Sequence, residues 1–184
     1  MNPLKRDSPN MSVAPPLNIV LVNSKTSDRF TDEHRRLIAK FSPVCNAYNL
    51  HLILVNFEIK LSSLAFAREM APSTSIGNGG EALVNLAKKG KLKIEKLPLK
   101  NNLGKMIICT PKPDDSKKKN IKEITAMLKK ETISLIFGCD IKHNKNVRIL
   151  IKSSSHHLDI SNKGIRLSLD TELGAITTMI KNLK

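Results

Sequence analysis

Short apolar runs and amphipathic stretches alternate along this chain, and this alternation predicts its secondary structure. Most of the apolar runs are almost continuous and of strand length. Runs of this kind are typical of strands that are buried on both faces of a parallel sheet. The six predicted strands are residues 17–22, 50–57, 91–97, 106–109, 133–137 and 157–160.

Between these runs, apolar side chains recur at helical spacing. Leu37, Ile38 and Phe41 share one side of a predicted helix that begins near Thr31, and Pro43 is expected to kink or end it. The clearest amphipathic pattern covers residues 116–130, where an apolar stripe lies opposite a side rich in lysine. The five predicted helices are residues 31–43, 61–70, 81–89, 116–130 and 174–183.

Residues 147–151 fit two structures. Their β-branched side chains favour a strand, whereas their position between two predicted strands favours a helical crossover. The alternation of strands and helices elsewhere calls for an α/β fold, with a mainly parallel sheet and helices on both faces. Residues 1–16 are rich in proline and show no periodicity, so we expect a disordered tail followed by a single domain at 17–184.

The charge of the chain points to a polyanionic partner. The 184 residues carry 31 Lys and Arg against 16 Asp and Glu, a formal net charge of +15. Residues 88–130 contain 14 lysines and four acidic residues, so 14 minus 4, or +10, of this charge lies in one segment. Only 3% of the residues are aromatic, which favours recognition of RNA shape and phosphates over base stacking.

Several other classes of protein are excluded. Cys45, Cys109 and Cys139 lie too far apart in sequence for one loop to clamp zinc, and we expect no metal site. The chain has no Gly-x-Ser-x-Gly elbow, no Walker lysine after a glycine loop and no His-Glu-x-x-His pair. It also has no apolar stretch of membrane-spanning length. We therefore expect a cytoplasmic protein.

Three loops follow the carboxyl ends of predicted strands, where open α/β sheets bind their ligands. They are residues 110–114, 138–140 and 159–169, and each on its own is consistent with a simple turn. In their order along the chain they resemble the C-terminal half of the SPOUT, or α/β-knot, methyltransferases. The resemblance implies a deep trefoil knot in the C-terminal part of the chain, in which the three loops hold S-adenosylmethionine.

The resemblance is closer to one uncharacterised archaeal family of this class, and it extends from Leu17 to the C-terminus. That family also implies a homodimer formed through the knot helices. The stretches that carry the resemblance are residues 33–35 (EHR), 42–47 (SPVCNA), 74–80 (TSIGNGG), 110–114 (TPKPD), 157–164 (HLDISNKG) and 174–176 (GAI).

The resemblance also implies which residues contact the cofactor, with one departure from the family pattern. Asp140 and His143 stand where the family has glycines. Two alternatives follow from this departure. The side chains of Asp140 and His143 narrow the space through which the cofactor approaches the backbone, or Asp140 accepts a hydrogen bond from a ribose hydroxyl. The implied cofactor-binding residues are Thr110, Pro111, Gly138, Cys139, Asp140, Leu158, Asp159, Ile160, Gly164, Leu167, Ser168, Leu169 and Gly174.

The residue that activates the nucleophile depends on the atom that is methylated. SPOUT relatives commonly use an arginine for a ribose 2′-hydroxyl, and Arg35, with Arg29 and Arg36 as neighbours, is the candidate here. A ring nitrogen would favour a carboxylate, such as Asp140 or Asp170.

Three functions follow from these observations. The first is an S-adenosylmethionine-dependent methyltransferase that acts on tRNA or rRNA and binds it through the Lys-rich residues 88–130. The alternative is a non-catalytic RNA-binding protein that retains the knot as a dimerisation scaffold, which the altered 138–140 loop favours. A methyltransferase of proteins or small molecules would leave the lysine segment without a role.

Overall fold

The computed structural model describes residues 16–24, 30–73, 79–99, 103–139 and 145–183. Six strands form one sheet, in which every pair of neighbours is parallel. The strands are β1 (Leu17–Val22), β2 (His51–Val55), β3 (Leu92–Glu95), β4 (Lys105–Cys109), β5 (Ile133–Gly138) and β6 (His156–Leu158). Their order across the sheet is β3-β2-β1-β5-β4-β6. The predicted α/β fold with a mainly parallel sheet is therefore confirmed.

Six α-helices lie in the described part of the chain, five between strands and one after the last strand. They are α1 (Asp32–Ala47), α2 (Ser63–Met70), α3 (Gly79–Lys88), α4 (Ile121–Leu128), α5 (Lys145–Ser153) and α6 (Leu169–Asn182). A short 3-10 helix, Ala71–Ser73, follows α2. The open question about residues 147–151 is answered by α5, which is the helical crossover between β5 and β6.

The central strand β1 is buried on both faces, as its continuous apolar run predicts. Ile19 and Leu21 pack into one core with side chains of α1 and α6. Val20 and Val22 point the other way, into a second core that contains side chains of α5. Helices therefore cover both faces of the sheet, which leaves its carboxyl edge, with the loops that follow the strands, as the place for a ligand.

Pro43 lies inside α1 rather than at its end, contrary to one of the two outcomes expected for it. Proline has no N–H, so the carbonyl of Ala39 loses its helical hydrogen bond. The first residue of α3, Gly79, packs against that carbonyl: a β-carbon built at Gly79 would lie only 2.5 Å from the Ala39 oxygen. Glycine is therefore required at this helix contact.

The helix predicted over residues 116–130 is shorter at both ends in the structure. The segment 117–119 instead lies beside β6: the backbone N–H of Lys119 donates to the His157 carbonyl, and the N–H of His157 donates to the Lys117 carbonyl, both at 2.9 Å. Asn120 then caps α4 through its side chain.

The last helix, α6, begins at Leu169, five residues before the start predicted at Gly174. Gly174 lies within this helix, and a β-carbon there would meet no atom within 4 Å. The glycine therefore marks no boundary.

Candidate functional site

The carboxyl ends of β4, β5 and β6 open into a cleft between α5 and the segment 165–169. Its cavity volume is about 120 Å³, and about 830 Å³ when the part open to solvent is included. Apolar side chains of β4, β5 and α5 form one wall, and polar groups from the loops and α6 lie opposite. The lining residues are Val22, Ile108, Cys109, Thr110, Pro111, Lys112, Ile136, Gly138, Val147, Leu150, Ile151, His157, Ile165, Arg166, Leu167, Leu169 and Glu172.

Backbone hydrogen bonds fix two of the loops at this edge. The N–H of Thr110 donates to the Leu158 carbonyl at 2.9 Å, so the loop after β4 stays registered with β6. The N–H of Cys139 donates to the Val22 carbonyl at 2.9 Å, so the loop after β5 stays registered with β1. Both loops are thus extensions of the sheet.

Asp159 organises the third loop. Its carboxylate accepts from the Ser161 N–H (3.0 Å), the Ser161 hydroxyl (2.6 Å) and the Gly164 N–H (2.8 Å). Burial alone would raise the pKa of Asp159, but these hydrogen bonds outweigh burial and hold its pKa below the ordinary value. Gly164 has a positive φ of 69° and its β-carbon position is 3.4 Å from the Pro111 carbonyl oxygen. The loop therefore brings glycine backbone close to the first loop.

Glu172 is an acidic side chain on the buried face of α6, and only 8% of its surface is exposed. Burial raises its pKa to about 7; the nearby Arg166 guanidinium opposes this rise and the Asp159 carboxylate adds to it. The carboxyl group of Glu172 therefore changes from its neutral to its ionised form near neutral pH. Glu172 was not predicted from the sequence, although its helical spacing to the apolar Ile176 and Ile180 places it on the core side of the helix.

His157 also faces the cleft and was not predicted to do so. Its Nδ1 accepts from the Asp114 N–H at 2.9 Å, and its Nε2 lies 3.2 Å from the Ser154 hydroxyl. Burial, together with the ammonium group of Lys117, lowers the pKa of His157. Its ring is therefore neutral at pH 7, and its hydrogen bonds fix it as a structural wall of the cleft.

Cys109 is a thiol whose pKa burial raises well above the ordinary value, with Glu172 adding to the effect. It is therefore an apolar lining residue and a poor nucleophile.

The structure brings part of the predicted cofactor set to the cleft. Thr110, Pro111, Gly138, Leu167 and Leu169 line it. The remaining described members lie in the same three loops, at the end of β6 or in α6 without lining the cavity: Cys139, Leu158, Asp159, Ile160, Gly164, Ser168 and Gly174. Asp140, His143, Arg29 and residues 74–78 lie outside the described residues.

Arg35 lies elsewhere, near the N-terminus of α1. Its guanidinium carbon is 5.0 Å from the centre of the Phe30 ring, and its Nε is 3.6 Å from an Asp32 oxygen. Asp170 pairs with Lys40 of α1 at 2.9 Å, and hydrogen bonds from Lys40 and Ser168 hold the pKa of Asp170 below its ordinary value. Neither side chain lines the cleft.

The described lysines of residues 88–130 do not form one cluster. Lys91 and Lys93 lie at the β3 edge of the sheet, whereas Lys112 lines the cleft and Lys117 and Lys118 lie beside β6. Lys117 is also a structural residue, since its ammonium group donates to the carbonyls of Lys152 and Ser154 at 2.8 and 3.0 Å. Part of the positive charge of this segment therefore adjoins the cleft.

The described residues contain no group of three or more His, Cys, Asp or Glu side chains arranged to bind a metal ion. Among the described helices, none has the length and apolar character needed to cross a membrane.

Comparison with solved structures places the fold. The chain is similar to a probable methylase family protein from Haemophilus influenzae Rd KW20 (TM-score 0.62, 16% identity, covering 94% of this chain and 66% of that one). It is also similar to TrmJ from Z. mobilis ZM4 (0.56, 9%, 94% and 70%) and to the SpoU methyltransferase AviRb from Streptomyces viridochromogenes in complex with AdoMet (0.51, 11%, 96% and 61%). The α/β fold is therefore similar to that of the SPOUT methyltransferases.

Comparison of sequences identifies a relative. No family model matches the chain. It is 30% identical over 166 residues, 89% of this chain and 92% of the relative, to the uncharacterized protein MJ0224 of Methanocaldococcus jannaschii. An identity of this extent shows common family membership, and this chain belongs to the archaeal family of MJ0224.

Proposed function

We propose that this protein is an S-adenosylmethionine-dependent methyltransferase of tRNA or rRNA, with the deep trefoil knot and homodimer of the SPOUT class. The observation that carries the proposal is the cleft at the carboxyl ends of β4, β5 and β6, which is lined by residues of the loops that resemble the SPOUT cofactor loops. The fold supports it, since the similar structures include a methyltransferase in complex with AdoMet.

The lining of the cleft suits the parts of S-adenosylmethionine. Ile108, Ile136 and Leu150 offer an apolar wall for the adenine ring. Lys112 and Arg166 offer cations for the methionine carboxylate, and the Glu172 carboxylate attracts a positive group such as the sulfonium. When bound, the cofactor supplies a methyl group on a positively charged sulfur. Small-molecule sites usually have volumes of roughly 300–1,000 Å³, which is more than the enclosed volume of this cleft. Part of the ligand would therefore lie in the section that is open to solvent.

The residues of the chain have separate tasks in this proposal. The Asp159 hydrogen bonds hold the third loop in a fixed conformation, and the walls of β5 and α5 exclude water from the reacting centre. Asp140, which follows Gly138 of the cleft, remains our candidate base for a ring nitrogen. Arg35 remains our candidate for activating a ribose 2′-hydroxyl. Because Arg35 does not line the cleft of its own chain, this role requires the ribose to contact both Arg35 and the methyl group held in the cleft.

Exposed apolar side chains support the homodimer. Met179 and Leu183 at the end of α6 are 42% and 40% exposed. They lie one helical turn apart, so a second copy packed on α6 would bury both. Light scattering of the purified protein measures the dimer directly, and a monomer at micromolar concentration would contradict this part of the proposal.

A non-catalytic RNA-binding protein is the second candidate. Asp140 in place of a glycine and the small enclosed volume of the cleft favour it. This candidate predicts salt-dependent RNA binding without affinity for S-adenosylmethionine.

Transfer of tritiated methyl groups to purified tRNA and rRNA tests the proposal. We expect incorporation with wild type and with Lys163→Trp, an exposed change in the same loop that does not line the cleft. We expect none with Leu167→Trp, which fills the cleft. Failure of wild type to methylate either RNA while it still binds the cofactor would overturn the RNA specificity. Failure to bind cofactor, with RNA binding intact, would favour the scaffold.

A further inference from the structure

A second pocket lies at the same edge of the sheet, after β1 and β2. Its walls come from Phe30 and Arg35 at the start of α1, from the residues that follow β2, and from Phe66 and Glu69 of α2. Its cavity volume is about 370 Å³. It shares no lining residue with the cleft described above.

The pocket concentrates planar groups in a chain that is poor in them. Two of the five phenylalanines, Phe30 and Phe66, line the pocket, and their rings stand edge-on to each other at 5.7 Å. The buried Phe57 lies behind them, with its ring edge-on to Phe30 at 6.1 Å. The Arg35 guanidinium covers the Phe30 ring at 5.0 Å, and 35% of the Arg35 side chain remains exposed. Stacked aromatic and guanidinium planes are the groups on which proteins stack unpaired bases.

The charges at the pocket suit a base better than a phosphate. Arg35 and Lys60 supply two cations, and Glu58 and Glu69 supply two carboxylates. The balance is neutral, so a phosphate would gain little attraction. Carboxylates accept hydrogen bonds from the exocyclic amine of cytosine, which uracil lacks at that position.

The position of the pocket suits a ligand that also reaches the cleft. All six strands are parallel, so their carboxyl ends lie at one edge. β2 and β4 are three places apart in the sheet, which is about 14 Å at the usual strand spacing. A short single-stranded segment of RNA can occupy both places at once.

We propose that this pocket binds an unpaired RNA base that carries an exocyclic amine, a short distance along the same strand from the nucleotide that occupies the cleft. The inference rests on the proposed action on RNA, and it adds a binding site and a base preference to it. Arg35 is then a residue that positions the substrate by stacking.

Fluorescence anisotropy with labelled single-stranded 12-mers of cytidine and of uridine tests the inference. We expect the cytidine 12-mer to bind wild type at least about fivefold more tightly than the uridine 12-mer, a difference at the lower end of one base contact. The double variant Glu58→Gln and Glu69→Gln, which loses the two charged acceptors, should reduce this preference to less than twofold.

Two arginine variants separate stacking from charge. Arg35→Lys keeps the charge but loses the plane, and it should weaken cytidine binding about fivefold or more. Arg36→Ala removes a charge from an exposed neighbour that does not line the pocket, and it should change binding less than twofold.

Four results would overturn the inference. Equal affinities for the two 12-mers, or an Arg35→Lys variant that binds like wild type, would refute the pocket alone and leave RNA methylation standing. Equally tight binding of free cytidine would assign the pocket to a small molecule. Absence of RNA binding by wild type and by every variant would refute both the pocket and the proposed RNA substrate.

Discussion

Glu172 makes the stability of the protein depend on pH in a way that a single substitution removes. Its pKa is about 7 in the folded chain against an ordinary value of 4.5. Because the folded-state value is raised, the stabilising effect of this group is fully present below pH 4.5 and is lost as the pH rises through 7. The two values correspond to a roughly 300-fold difference in acid dissociation, or about 3 kcal/mol.

The variant Glu172→Gln keeps the shape of the side chain and has no charge to bury. We expect the free energy of unfolding of the variant, relative to wild type, to increase by about 3 kcal/mol between pH 4.5 and pH 8. Urea denaturation of both proteins at half-unit steps of pH measures this difference, and all other titrating groups cancel. A constant difference across the range would refute the raised pKa, and a difference that falls with pH would mean that the ionised carboxylate is stabilised by a partner.

Three further changes probe the cleft and the packing of the sheet. Raising the pH from 6 to 8 ionises Glu172, so the affinity for the sulfonium cofactor should rise by up to about tenfold in calorimetry. The affinity for S-adenosylhomocysteine, which has no charge on its sulfur, should stay level. Equal changes for both ligands would contradict a charge contact. Asp159→Ala should lower the free energy of unfolding by about 2–3 kcal/mol in urea denaturation, since three hydrogen bonds to a carboxylate are lost. It should also weaken cofactor binding at least about tenfold. Unchanged binding would show that the third loop does not need these hydrogen bonds. Gly79→Ala should cost about 1–3 kcal/mol because its β-carbon collides with the Ala39 carbonyl, and a stable variant would mean that α1 and α3 separate easily.

The sheet was predictable from the sequence because strands that are buried on both faces need an almost continuous run of apolar residues, which is visible locally in the sequence. The runs that became β1 and β5 consist almost only of apolar residues, and none of the described helices shows such continuity. The loops after the strands could be placed for the same reason. Thr110 and Pro111 follow β4 directly, Gly138 is the last residue of β5, and all three line the cleft.

The remaining differences have long-range causes. Residues 116–120 have a composition that favours a helix, but 115–117 form a turn and Lys118 forms a bridge with His157. The backbone of Lys117 and Lys119 exchanges hydrogen bonds with His157, some 40 residues away, and this pairing holds the segment beside β6. The role of Glu172 is equally non-local. Burial raises its pKa, and the residues that surround it come from parts of the chain outside α6, so the sequence of α6 alone does not predict the shift.

The candidate role of Arg35 shows the limit of a motif. Its place after the first strand suggested the cleft, but the sheet order puts β1 and β2 on one side and β4 and β6 on the other. Strand order is decided by tertiary packing, and the spacing of residues along the chain does not contain it. The structure therefore places Arg35 at a pocket that shares no lining residue with the cleft.

Isothermal titration of the purified protein with S-adenosylmethionine tests the central claim most directly. The account predicts saturable binding with one site per chain and a micromolar dissociation constant, which Leu167→Trp abolishes and Lys163→Trp leaves unchanged. Absence of binding by folded wild-type protein, or unchanged binding by the Leu167→Trp variant, would contradict a cofactor site in the cleft after β4, β5 and β6.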